Sequence, residues 1–188
     1  MQLYEQKFDD ALKYLSHPDR LNPTGDKPIC YVTYDVTDAM IVYRLLKPTI
    51  IPKAQYHGFP SPKIVSMGAE LQSFIKEHEY YDVFCSDEIP EDEMYSALRE
   101  EIIKDKFFPQ LIMKLQEEEK AKYGEHALLI FKYLEFLHPY VKIGAIEQII
   151  YNKIAIPMLF LYPGNTQGTA RQFLNIYNMD GSYRSKNF

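Results

Sequence analysis

The run Ile154-Ala-Ile-Pro-Met-Leu-Phe-Leu-Tyr162 constrains this chain more than any other feature. Its side chains do not alternate between apolar and polar. A strand of that kind is buried on both faces, as in the interior of a parallel sheet covered by helices. The run is far too short to cross a bilayer as a helix. Pro157 cannot donate to a sheet ladder, so it marks either the first residue of the strand or an unpaired position.

Other segments fit the same architecture. Ile29-Cys-Tyr-Val-Thr-Tyr34, Lys63-Ile-Val-Ser-Met67 and Ala127-Leu-Leu-Ile-Phe131 read as strands. Tyr4, Phe8, Ala11, Leu12 and Leu15 recur at helical spacing. So do Ala39, Val42, Tyr43 and Leu46, behind a helix start at Asp35 and Asp38. Leu71, Phe74, Ile75 and His78 mark a further helix, and Ile143, Ile146, Ile149 and Ile150 another. Pro18 and Pro23-Thr-Gly25 place a loop after the first helix. Pro48, Pro52, Pro60 and Pro62 punctuate a stretch that is either an exposed loop or a tight connection. Between 87 and 122 the pattern is largely helical, with two helices separated near Lys106–Pro109, the first capped by the acidic turn Asp87–Glu93. Alternating strands and helices favour a parallel sheet. The expected fold is therefore α/β and three-layered, with a mostly parallel sheet of about four to five strands flanked by helices, in one domain spanning 1–188.

Composition narrows the function. The net charge is −5, and no basic stripe is visible of the sort that neutralises phosphates. A small basic patch would have to assemble from Arg171, Arg184 and Lys186. The two cysteines, Cys30 and Cys85, lie in apolar runs and are expected as buried free thiols. The first ten residues lack the basic and apolar regions of a signal peptide, so a cytoplasmic location is expected.

No catalytic motif is complete. In parallel α/β sheets ligands collect beyond the carboxyl ends of the strands. The most suggestive loop there is Pro163-Gly-Asn-Thr-Gln-Gly168, whose backbone could face a phosphate. It is not followed by the Lys-Ser or Lys-Thr of a phosphate-binding loop, and Gly-x-Gly-x-x-Gly does not occur. Glu135 ends a hydrophobic strand as a magnesium-binding acid would, but without a phosphate loop its expected role is structural or on the surface. The five histidines show no metal-ligand spacing. No catalytic, cofactor-binding or metal-binding residue is assigned.

Two stretches resemble the BrxB family of BREX bacteriophage-exclusion systems. They are Leu128-Leu-Ile-Phe-Lys-Tyr-Leu-Glu-Phe-Leu-His-Pro-Tyr140 and Ile154-Ala-Ile-Pro-Met-Leu-Phe-Leu-Tyr-Pro-Gly164. Arg171-Gln-Phe-Leu174 and Asp180-Gly-Ser-Tyr183-Arg184 follow at the places where that family has similar segments, and Leu15-Ser-His-Pro18 with Lys27-Pro-Ile-Cys-Tyr31 fits its front. Ser182 stands where the family commonly has a tyrosine, and the chain given ends soon after Arg184, which puts the family's last strand in question. The resemblance implies a small accessory component of an antiviral complex, without enzymatic activity or cofactor. Its implied partners are a PglZ-type phosphatase-fold protein, a BrxC-type ATPase and an adenine methyltransferase, with nucleic acid reached only indirectly. The layout is also similar to a P-loop-like fold without its phosphate loop, an analogy of fold alone. Tyr162, Pro163, Gly164, Arg171, Tyr183 and Arg184 are the candidate protein contacts, since Tyr and Arg are enriched at interface hot spots. The alternative is a nucleotide sensor or degenerate P-loop-like protein using the 163–168 loop.

Overall fold

The computed structural model describes residues 2–17, 27–86, 89–138, 140–168, 170–179 and 185–188. The expected loop at Pro18–Gly25, Asp87 of the acidic turn, and Asp180, Gly181, Ser182, Tyr183 and Arg184 lie outside them.

Five parallel strands form the sheet, in the order β2-β3-β4-β1-β6. They are β1 (Ile29–Tyr34), β2 (Lys63–Ser66), β3 (Leu129–Lys132), β4 (Met158–Gln167) and β6 (Lys186–Asn187). A sixth strand, β5 (Ala170–Phe173), runs antiparallel to the far half of β4. β1 is buried at every position, as its lack of alternation predicts. Pro157 sits just before β4, where its carbonyl accepts from Leu129 N at 3.1 Å and its missing N–H costs no ladder bond.

Helices cover both faces. On one side α1 (Gln2–Leu15), α2 (Ala39–Leu45) and α3 (Ile51–Tyr56) pack over Cys30, Val32, Ile130, Leu159 and Leu161. The other side carries α4 (Met67–Glu77), α5 (Tyr81–Phe84), α6 (Glu91–Lys104), α7 (Phe107–Tyr123) and α8 (Ile143–Ile150). Alternate strand residues such as Tyr31, Phe131 and Phe160 fill that core. No helix among the described residues is long and apolar enough to cross a membrane.

The first half of the proline-punctuated stretch is helical, while Pro60 and Pro62 lie in the short connection to β2. A π-helical turn at Leu46–Ile50 joins α2 to α3. Pro48 falls inside that turn and Pro52 in the first turn of α3, where a helix tolerates a missing N–H. Buried Leu46, Ile50 and Ala54 supply the core contact that outweighs the proline signal. The break between α6 and α7 comes at Asp105–Lys106, with Lys106 in the left-handed region at φ 49°. Cys30 is buried, but Cys85 is exposed, against expectation. It follows a single helical turn in which Phe84 alone is buried, so the run gives the core one side chain and leaves the thiol outside.

One buried polar network ties the last third of the chain to the sheet. Phe131, Phe160 and Tyr31 stand level on β3, β4 and β1 and stack across the strands, with centroids 4.6 and 5.1 Å apart. The Arg171 guanidinium of β5 lies 3.5 Å from the Tyr31 ring centroid. Arg171 is wholly buried and pairs with Glu147 of α8 at 3.3 Å. Arg171 also donates to Ser185 Oγ at 2.6 Å and to Asn187 Oδ1 at 2.6 Å. Glu147 accepts from the Tyr31 hydroxyl at 2.7 Å and the Ser185 hydroxyl at 2.8 Å. Truncating one member of such a pair leaves the other buried and uncompensated. Arg171→Ala is expected to remove about 3–5 kcal/mol of stability, read as a lower urea midpoint. Arg171→Lys, which keeps the charge but not the planar fork, should recover only part of it.

Candidate functional site

Residues 163–167 are strand rather than loop, and Gly168 falls in the turn that follows. Past Pro163, β4 leaves the parallel sheet and pairs with β5 through Gly164↔Phe173, Asn165↔Gln172, Thr166↔Arg171 and Gln167↔Ala170. Gly164 has φ 143°, and a Cβ there would collide with the carbonyl oxygen of Gln172. The glycine therefore serves the close approach of two strands. The backbone expected to face a phosphate is committed to hairpin pairing.

This corrects most of the expected contact residues. Tyr162, Pro163 and Gly164 are buried, and the exposed part of the hairpin begins at Asn165. Arg171 is 0% exposed and belongs to the buried network, so its guanidinium offers no surface contact and joins no basic patch. Tyr183 and Arg184 lie outside the described residues. Of the proposed basic trio Lys186 alone is seen at the surface, 5.2 Å from the ring centres of both Tyr14 and Phe188.

The structure instead brings other residues together at the carboxyl edge of the sheet. The connection leaving β1 runs over one face, whereas that leaving β3 runs over the other, with β4 between them. Ligand sites of open α/β sheets lie at such divergence points. Here the β4–β5 hairpin occupies that place. Beside it, Asp35 accepts from Thr37 N at 2.9 Å and from Asn175 Nδ2 at 3.2 Å. The Asn175 side-chain oxygen is buried and finds no donor among the described residues. Leu174 and Asn175 both hold left-handed backbone, at φ 53° and 60°. Non-glycine residues in that region cost about 1–3 kcal/mol each and concentrate at functional surfaces.

Apolar side chains are exposed on the segments that leave β1, β3 and β5. Ile176 is 75% exposed, Met40 61% and Phe136 53%, with Val36, Tyr177 and Met179 also in solvent. The Asp35–Asn175 bond holds Val36 near Ile176, and His138 stacks between Phe173 and Tyr177 at centroid distances of 4.5 and 4.4 Å. Burial, then the Lys142 charge, push the His138 pKa down, which keeps the ring neutral at physiological pH.

A hydroxyl chain crosses the same edge. The Tyr34 and Tyr43 hydroxyls lie 2.6 Å apart, and Tyr43 donates to Glu135 at 3.1 Å. Since Tyr43 spends its proton on the carboxylate, Tyr34 must donate to Tyr43. Glu135 is thus a structural acceptor, in line with the role expected once a phosphate loop is absent.

Next to this edge runs an open groove of about 930 Å³, at the ends of β2 and β3. Ser66, Gly68, Gln72, Lys76, Tyr81, Cys85, Tyr95, Tyr133, Phe136, His138 and Tyr140 line it, with Ala69, Leu71 and Ile75. Tyr133 holds φ 61°, and the Phe136 ring packs so closely on Gly68 that a Cβ there would come within 2.9 Å of it. The sequence signal was no more than an abundance of tyrosine, because the lining comes from segments far apart in the chain.

One further group deserves a chemical test. His78, Glu101 and Asp105 place potential metal ligands within 4.8 Å of one another. Tyr80 N donates to His78 Nδ1 at 3.2 Å. That bond puts the imidazole proton on Nε2, which faces Glu101 at 3.7 Å and so has no lone pair for a metal. The group clips α4 to α6.

Comparison with known proteins finds no family model, curated protein or solved structure that matches this chain.

Burial raises the pKa of Glu135 above its ordinary value of 4.5. Between that value and the raised one, the folded state holds more proton than the unfolded chain, so Glu135 makes stability fall as pH rises through the window. Glu135→Gln keeps an acceptor for Tyr43 and removes the charge. It should raise the urea midpoint at pH 8, with the gain vanishing towards pH 4.

Proposed function

We propose that the protein is a non-catalytic adaptor that binds other components of a BREX-type antiviral defence complex through the carboxyl edge of its sheet. The observation that carries this reading is the exposed apolar set there. Ile176 and Tyr177 follow Asn175 directly, Val36 follows its partner Asp35, and all three stand in solvent. Scattered exposed apolar residues are ordinary, whereas a cluster of them on one edge marks an interaction surface. The exposed Asp35 carboxylate beside Asn175 suits an N–H donor brought by a partner.

The choice of complex rests on the resemblance of residues 128–140 and 154–164 to the BrxB family. Of the partners it implies, the PglZ-type phosphatase-fold protein is tested first, ahead of the BrxC-type ATPase and the adenine methyltransferase. The nucleotide-sensing alternative loses its main support, since the backbone it required pairs with β5.

Mixing the purified protein with a PglZ-type partner should give a joint peak on size exclusion. Ile176→Asp and Met40→Asp, both at exposed positions, should leave the fold intact and weaken the complex about tenfold or more. Absence of any joint peak with the wild-type protein defeats the direct form of this reading.

A further inference from the structure

We propose that the tyrosine-lined groove beside α4 is a binding site for a proline-rich segment in the polyproline II conformation, carrying basic residues at one flank. The inference rests on the adaptor reading and names the chemistry of one partner segment.

Three observations select this occupant. The first is the arrangement of the rings. Tyr133 and Phe136 meet nearly at right angles, 87°, with centroids 6.2 Å apart, and Tyr95 and Tyr140 are tilted by 45° at 6.2 Å. Neither pair forms the parallel slot that would sandwich a flat ring. Together they make a corrugated aromatic wall, the surface on which proline rings pack in known polyproline grooves.

The second is polarity. Tyr81, Tyr95, Tyr133 and Tyr140 stand in the lining, with the Tyr81 hydroxyl bonded to Cys85, and Lys76 is its one charged side chain. No carboxylate stands in the lining. A polyproline II segment has no internal hydrogen bonds, so its carbonyls seek donors. Tyrosine hydroxyls and a lysine complement those carbonyls.

The third is charge at one end. Tyr95 lies one turn into α6, which begins with exposed Glu91, Asp92 and Glu93. These acids suit the helix dipole and leave a negative rim next to a charge-poor groove. A ligand with arginine or lysine beside its prolines matches both, and it binds faster at low salt. The ordering cost is small because the polyproline helix is largely preformed.

The test uses the full chain and a dye-labelled peptide of about ten residues, mostly proline, ending in two arginines. Fluorescence anisotropy should show saturable binding that weakens with salt. Tyr95→Ala and Tyr140→Ala should each weaken it about fivefold or more, whereas Tyr56→Ala, at an 87% exposed position on α3, should not. Should an alanine variant fail to fold, Tyr95→Phe and Tyr140→Phe keep the ring, remove the hydroxyl and should still weaken binding. Bound peptide should also slow alkylation of exposed Cys85 in the groove. A peptide ending in two glutamates should bind more weakly. The proposal is overturned by absent or non-saturable binding, or by affinity indifferent to Tyr95 and Tyr140. It is equally overturned if adenosine protects Cys85 and the peptide does not, which would mark a small-ring site. Size exclusion with the PglZ-type protein keeps the two readings apart. A joint peak unaffected by Tyr140→Ala, with no peptide binding, defeats the groove and leaves the adaptor standing. Peptide binding without a joint peak does the reverse.

Discussion

The burial of Arg171 against Tyr31 and Glu147 sets the conditions for the rest of the molecule. A guanidinium removed from water is tolerated only where partners surround it. Its partners come from α8, β1 and β6, and its own strand, β5, hangs on β4. The network therefore fixes where the chain goes after the parallel sheet is complete. It also explains why a sheet edge near β6 needs so little strand. Lys186–Asn187 pairs with β1, while Lys7 reaches from α1 to the carbonyls of Thr33 and Phe188 at 2.9 and 3.2 Å. Side-chain bonds there do what a longer ladder would otherwise do.

Holding β5 in place has a consequence at the carboxyl edge of the sheet. The β4–β5 hairpin takes the position beyond β4 where an open α/β sheet commonly receives its ligand. The chemistry of that position is consumed by backbone pairing. What remains open is a side-chain surface, apolar at Ile176 and Met40 and aromatic at Phe136 and in the neighbouring groove. Under the proposed function, that side-chain surface is where a protein partner docks.

The sheet was legible in the sequence because burial on both faces writes itself as uninterrupted apolar residues. Ile29–Tyr34 and Met158–Tyr162 show this directly. Pro157 was legible in part, since a missing N–H restricts it to a strand's first residue or an unpaired position, and it sits just before β4. The Pro48 and Pro52 stretch was misread because local proline chemistry was overridden by the burial of Leu46, Ile50 and Ala54. Gly164 announced a close approach but not what approaches; its neighbour is the Gln172 carbonyl, not a phosphate. Arg171 looked like a surface cation because lone arginines usually are. Its burial depends on Glu147, Tyr31 and Ser185, three residues that no local pattern connects to it. The groove was hidden for the same reason, with its tyrosines scattered from Tyr81 to Tyr140.

The two surfaces at the carboxyl edge differ in a way that bears on specificity. The Ile176 patch is apolar beside the exposed Asp35 carboxylate, so it rewards a partner that brings N–H donors. The groove is rich in hydroxyls and has one lysine, so it rewards carbonyls. Phe136 belongs to both, lying exposed above Gly68 and meeting the Tyr133 ring edge-on at the groove wall. A partner touching both surfaces would need donors for one and acceptors for the other, on elements spaced to straddle Phe136. Joining two weak contacts through one ring in this way raises avidity without either site being tight. It also excludes partners that satisfy one polarity alone, because an unmatched Asp35 carboxylate or tyrosine hydroxyl would lose its water without gaining a bond.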